Sequence, residues 1–390
     1  MPKTTKTKPA PIPLSSPAIR GNAWKYVKEC LDTEWVSSVG RFVGLFEDSV
    51  AKYTGAPYAV AGVNGTACLH VALKLAGIGP GDGVITPALT FIATANAVTY
   101  CGAVPLFLDC DELRFNLDLD QLEDFLQTRC TRGGSGLVTP SGVPVKAVLP
   151  VHILGFPIDM DRLQAICEKH RLVLIEDAAE SIGSTWKGRH TGTFGKLGVL
   201  SFNGNKIITT GGGGMILTAD EDLAKRTRHV TQQAKSDAAE YLHDEIGYNY
   251  RMTNVSAALG LSQLEVLPEF LQQRAKIAQW YRSELPSVRV EPTGPDASWN
   301  RWLMAAQVPS AEAKADLLRK LNAAGAQARP LWVPVPLQKP YRGAFSANIE
   351  KARRAYDTVI NIPSSTAMTE KDAARVAEVL REAPVERLLV

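Results

Sequence analysis

The chain has 390 residues, 45% hydrophobic and 21% charged, an ordinary balance for a water-soluble globular protein with one large and one smaller unit. Lys plus Arg number 43 against 40 Asp plus Glu, a net charge of +3, so no global field argues for nucleic acid or a membrane surface, and an anionic ligand has to be held by local geometry. The six cysteines (Cys30, Cys68, Cys101, Cys110, Cys130, Cys167) form no C-x-x-C pair and read as buried or idle thiols in a reducing cytoplasm.

The start, Met1 to Pro13, is a polar, Pro-rich arm without the apolar core of a signal peptide or anchor. No later stretch reaches the roughly 20 apolar residues of a membrane span. Helices are predicted over Asn22–Leu31 and Gly44–Tyr53, the second stopping at Gly55. The chain then alternates. Apolar β-type runs at Tyr58–Val63, Gly83–Thr86, Val104–Leu108, Val145–Val151, Leu172–Glu176 and Val199–Phe202 are interleaved with helical patterns at Ala67–Leu75, Ile92–Tyr100, Leu119–Gln127 and Met160–His170. That rhythm implies an α/β fold with a mostly parallel sheet covered on both faces. Thr128 to Pro144 breaks it and reads as a surface loop. From Met252 a long helical segment runs to about Tyr281, broken near Pro268, and amphipathic helices follow at Ala311–Ala323 and Glu370–Arg381. The expected organisation is an arm over 1–20, a large domain over 21–251, and a linking helix with a small α+β domain over 252–390.

Four segments carry chemistry. Ser201-Phe202-Asn203-Gly204-Asn205-Lys206 leaves a strand and is followed by glycines at 211 to 214. Lysine is the side chain that forms a stable imine with an aldehyde cofactor, and glycines let a flat ligand approach the backbone; a surface lysine before a flexible loop would look similar. Leu172-Val173-Leu174-Ile175-Glu176-Asp177 is a buried-type strand ending in two carboxylates. Asp177 is placed to point into the crevice at the strand ends and Glu176 to the opposite face. Val63-Asn64-Gly65-Thr66 turns a strand into a helix whose free N–H groups suit a phosphate. Cys68 and His70, on that helix, read as packing residues. In Thr86-Pro87-Ala88-Leu89-Thr90-Phe91, an aromatic at the strand-to-helix turn can stack on a flat ring, although Phe91 alone also suits a core.

These motifs together resemble the DegT/DnrJ/EryC1/StrS family of sugar aminotransferases from about Ile12 to the C-terminus. Further matches are Trp35-Val36-Ser37-Ser38-Val39-Gly40, Pro150-Val151-His152-Ile153-Leu154-Gly155, Gly247-Tyr248-Asn249-Tyr250-Arg251-Met252-Thr253-Asn254 and Arg329-Pro330-Leu331-Trp332. The resemblance implies the fold type I architecture of pyridoxal 5'-phosphate (PLP) enzymes, with a seven-stranded sheet and a homodimer with composite sites. Lys206 would be the imine-forming, proton-carrying lysine, and Asp177 the partner of the pyridine nitrogen. Phe91 would be the stacking ring, while Gly65, Thr66 and Ser201 hold the phosphate. Asn203 and Glu180 would lie near the cofactor, the latter where Gln or His is frequent. Gly212 and Gly83 stand where many relatives have Glu.

Asn249 and Arg251 would reach the neighbouring subunit's site, Asn249 towards the phosphate; Ser38, Val39, His152, Arg251 and Trp332 would meet substrate. For His152 two readings stay open, a pocket contact or an inward histidine satisfied by a backbone carbonyl. The implied reaction moves an amino group from an amino acid, L-glutamate first, to a nucleotide-linked 4-keto-6-deoxy sugar for surface-glycan synthesis, with pyridoxamine 5'-phosphate as the other cofactor form. The lysine motif points to UDP-linked 2-acetamido sugars of the legionaminic acid or bacillosamine type. Rivals are a 3-keto-sugar aminotransferase, a general amino-acid aminotransferase and a non-catalytic PLP- or nucleotide-binding regulator. A family dehydratase would carry His in place of Lys206.

Overall fold

A computed structural model describes residues 10–134, 136–237 and 239–390. Residues 1–9 of the predicted arm lie outside them. Seven strands form the main sheet: β1 Tyr58–Gly62, β2 Gly83–Pro87, β3 Val104–Leu108, β4 Val145–Val148, β5 Val173–Asp177, β6 Leu197–Ser201 and β7 Gly214–Thr218. Their spatial order is β1-β7-β6-β5-β4-β2-β3, and only β7 runs against the rest. The expected architecture is thus present. The strand not read from sequence was β7, because the glycines leading into it mask a short apolar run, Met215-Ile216-Leu217.

Both faces of the sheet are covered, so its strands are apolar throughout rather than alternating with polar residues. On one face α3 (Gly65–Leu75), α4 (Ala93–Tyr100) and α7 (Glu221–Thr231) enclose Val84, Ile175, Val199 and Ile216. On the other, α2 (Arg41–Thr54) and α8 (Asn254–Glu265), the latter against α1 (Ala23–Asp32), pack Phe42, Phe46 and Ala257 over Leu200, Met215 and Leu217, and α6 (Met160–His170), beside α5 (Leu119–Asp124), covers Leu174. The two-residue period of β5 therefore sends Ile175 and Asp177 towards α3, and Leu174 and Glu176 towards α6.

α2 stops where expected: Gly55 takes φ +73°, a left-handed cap that glycine adopts without a Cβ penalty. The predicted break is also real, since α8 ends at Glu265 and α9 (Leu267–Glu284) restarts with Pro268 in its first turn, where its missing N–H costs nothing. The predicted loop after Thr128 contains a small hairpin, Thr131–Gly133 paired with Gly136–Val138.

Beyond α9 lies a second, five-stranded sheet. It is flanked by helices at Ala311–Ala323, Glu350–Thr358 and Glu370–Arg381. The arm joins this unit: Ile12 exchanges backbone hydrogen bonds with Gly325 and Gln327. No helix among the described residues is long and apolar enough to cross a membrane.

Candidate active site

A cavity of about 300 Å³ opens at the carboxyl ends of β1, β2, β5 and β6, where α/β sheets gather ligands. At one end is the start of α3. The Asn64 side chain caps this helix by accepting from Ala67 N (2.8 Å), while the N–H groups of Gly65 and Thr66 have no acceptor within the helix. A Cβ on Gly65 would sit 3.0 Å from the Cβ of Ser201, so only glycine brings this backbone alongside the serine hydroxyl without a shift. Two backbone donors, Thr66 and Ser201 therefore form one anion cradle.

At the other end is Asp177, 3% exposed. Its Oδ2 accepts from Thr94 Oγ1 (2.8 Å) and its Oδ1 from Ala179 N (3.1 Å); Thr94 is in turn 3.1 Å from Thr90 Oγ1. Burial pushes the Asp177 pKa up, against the pull of those donors and of the Lys206 charge. A buried carboxylate with only two donors and an open cavity beside it retains capacity for a cationic N–H.

Between the two ends stands Lys206, its side chain 12% exposed. Nζ lies 3.7 Å from Glu180 Oε1, too far for a hydrogen bond, and 3.8 Å from the centre of the Trp302 ring. Burial lowers the lysine pKa, opposed by the Glu180 and Asp177 charges. Glu180 is pushed up to about 7 by burial, opposed first by Lys206 and then by the hydrogen bond from Leu154 N (2.8 Å). A lysine eased towards its neutral amine is a nucleophile and a proton carrier.

Of the residues singled out from sequence, Gly65, Thr66, Phe91, Asp177, Glu180, Ser201, Asn203, Lys206 and Trp332 line this cavity. His152 does not. It is fully buried and turned inward, with Nε2–H donating to Glu176 Oε2 (3.1 Å) and Nδ1 accepting from Ile158 N (3.3 Å), a carboxylate and an amide in place of the expected backbone carbonyl.

Ser38, Val39, Asn249 and Arg251 also lie off the cavity of their own chain. The two motifs that contain them meet at Asn254, whose side chain accepts from Phe42 N and donates to the Trp35 carbonyl. Val39 and Asn249 are exposed, whereas Arg251 is tied to Glu47 at 2.5 Å. Sequence reasoning missed Thr94, Asn205 and Trp302. Thr94 lay in the helical run already noted, Ile92–Tyr100, four residues after Thr90, but nothing local marks Trp302.

An anion cradle, a reactive amine and a buried carboxylate, lining one cavity, fit the phosphate, aldehyde and ring nitrogen of PLP. With the fold, they define a PLP-dependent transaminase. The chain belongs to the DegT/DnrJ/EryC1/StrS aminotransferase family, whose model matches residues 17–381. It is 40% identical to GDP-perosamine synthase of Caulobacter vibrioides over 375 residues, 95% of this chain and 97% of that one. It is 31% identical, over 86% of each chain, to the UDP-N-acetyl-3-dehydro-alpha-D-glucosamine 3-aminotransferase of Acidithiobacillus ferrooxidans. Among solved structures, the PLP form of the sugar aminotransferase Spr1654 from Streptococcus pneumoniae superposes with a TM-score of 0.87 at 27% identity, covering 95% of this chain and 98% of that one. DesI, solved with its TDP-sugar product, gives 0.84 at 30%, covering 96% and 93%.

Proposed function

We propose that this enzyme transfers an amino group from an amino acid, L-glutamate first, to the keto carbon of a nucleotide-linked 4-keto-6-deoxy sugar. The observation that carries the reading is the placement of Lys206, Asp177 and the α3 cradle on a single cavity. When bound, PLP supplies an aldehyde carbon that bonds nitrogen and a ring that accepts the electron pair released at the substrate carbon.

The residues do the rest. Gly65, Thr66 and Ser201 bind the phosphate and fix the register of the ring. Asp177, held by Thr94 and Ala179, keeps its charge against the ring nitrogen. Lys206 Nζ would take the proton from the substrate carbon and deliver it to the cofactor's former aldehyde carbon, two bonds away across the nitrogen, so one amine serves both half-reactions. Phe91 and Trp332, at the cavity wall, are the surfaces on which ring and sugar rest. A second copy of the chain would complete the site through Asn249, which is exposed, rather than through Arg251, which Glu47 already holds.

For the nucleotide, the proposal is GDP in place of the UDP suggested by the lysine motif. Its support is relative similarity: GDP-perosamine synthases of Caulobacter vibrioides and Escherichia coli O157:H7 share 40% and 36% identity with the chain, the UDP-sugar 3-aminotransferase 31%. The test is a single turnover of the pyridoxamine-loaded enzyme with GDP-, UDP- and TDP-4-keto-6-deoxy sugars and a UDP-3-keto sugar, read by product mass and NMR. The GDP 4-keto sugar should be aminated fastest. Turnover of simple keto acids with every nucleotide sugar inert would contradict the proposal.

A further inference from the structure

We propose that Trp302 is a catalytic residue: its indole face receives the Lys206 ammonium whenever that lysine holds the proton in transit. This rests on the assignment of Lys206 as the reacting lysine.

Nζ of Lys206 stands among Glu180, Asp177 and the Trp302 ring. Among the described residues, the charged groups facing it are Glu180 and Asp177, and the Glu180 oxygen, at 3.7 Å, is beyond hydrogen-bonding distance. The ring of Trp302 is in direct contact, its centre 3.8 Å from Nζ. An ammonium that is almost out of water needs compensation, and the π face of tryptophan is the best the aromatic side chains offer.

The indole is mounted rather than merely packed. Trp302 is 3% exposed, and its Nε1–H donates to the Asn205 carbonyl (2.9 Å), one residue before Lys206. Its own N–H donates to Asn300 Oδ1 (2.9 Å), while Asn300 Nδ2 donates to the carbonyls of Glu180 (2.8 Å) and Ile182 (2.9 Å). The clasp is tight enough that a Cβ on Gly155 would collide with Asn300 Oδ1 at 2.0 Å. From behind, the buried Arg274 donates from Nη1 to the carbonyls of Trp302 (2.7 Å) and Arg301 (3.0 Å), and Ser364 Oγ adds a third bond at 3.1 Å. Asn300 and Arg274 are positioning residues: they fix a side chain from the region after α9 against the lysine loop and the loop carrying Glu180. The bonds to both loops hold the ring face at a fixed distance from Nζ.

The test uses full-length, pyridoxamine-loaded enzyme, in which Lys206 is not bonded to the cofactor. Competitive acetylation across pH, with the Lys206 peptide quantified by mass spectrometry, reads the titration of Nζ. Trp302→Leu should make the ammonium about tenfold more acidic, a downward shift of about one pKa unit, and Trp302→Phe should shift it less because a phenyl face is weaker. The pH profile of the single-turnover reaction of this pyridoxamine form with 2-oxoglutarate should move in the same direction. An unshifted titration in both variants, with thermal melts matching the parent, would overturn the proposal. So would equal shifts from Leu and Phe, which would assign the effect to the Asn205 hydrogen bond rather than to the π face. Borohydride labelling separates the two layers: label away from Lys206 defeats the lysine assignment, whereas label on Lys206 with no shift defeats Trp302 alone.

Discussion

Glu176 and Asp177 are neighbours at the end of one strand, yet they belong to two different regions of the molecule. Glu176 faces the α6 side, where its carboxylate accepts from the backbone N–H groups of Gly192, Phe194 and Gly195 and from His152 Nε2. Burial works against its charge, but those donors carry its pKa below the usual value. Asp177 faces the cavity, accepts two hydrogen bonds, and has its pKa raised by burial. Both side chains are almost completely buried. The difference is the satisfaction of the charge: a saturated carboxylate holds a turn together, and one with unspent capacity beside a cavity is available to a ligand.

That contrast can be broken by a matched pair of substitutions. Asp177→Asn should slow the glutamate half-reaction about a hundred- to a thousandfold, the loss expected when a preorganised charge leaves a desolvated site. It should barely change the urea midpoint of the apoprotein. Glu176→Gln should do the reverse. Its amide would set a donor against backbone donors and strand His152, costing about 3 kcal/mol of stability while the rate per folded molecule changes little. Equal kinetic losses in the two variants would erase the distinction.

A smaller effect concerns Glu180, whose pKa is pushed up to about 7. Below that pH it is neutral and leaves Asp177, among the described residues, as the one facing charge that supports the Lys206 ammonium; as pH rises through it, the second carboxylate forms and favours the ammonium further. The half-reaction should therefore show a limb near neutrality that Glu180→Gln lacks, with rates differing by only a few-fold at the optimum. Superimposable profiles would remove Glu180 from the proton balance.

The sequence carried the strand-end part of the site because its residues are local to motifs. Asp177 is the last residue of an apolar strand, Lys206 lies a few residues beyond the end of another, and Gly65 and Thr66 sit at a strand-to-helix turn. It carried the sheet less completely, since β7 is entered through glycines. His152 was open to two readings because a strand-end position does not say where the ring turns; Glu176 and the Ile158 N–H decided that. Trp302 was out of reach for a different reason. It contacts the lysine loop across 97 residues, bonding to Asn205, and only the packing of the region after α9 brings it there. Likewise the resemblance sent Arg251 towards a neighbouring site, while its partner Glu47 lies 204 positions earlier.

The most direct test of the central claim is where the cofactor attaches. The purified, PLP-loaded enzyme, reduced with borohydride and digested, should carry the pyridoxyl label on the peptide containing Lys206, and Lys206→Ala should be unlabelled and inactive in transamination. Label on Lys187 or Lys196, or full transaminase activity in Lys206→Ala, would contradict the account.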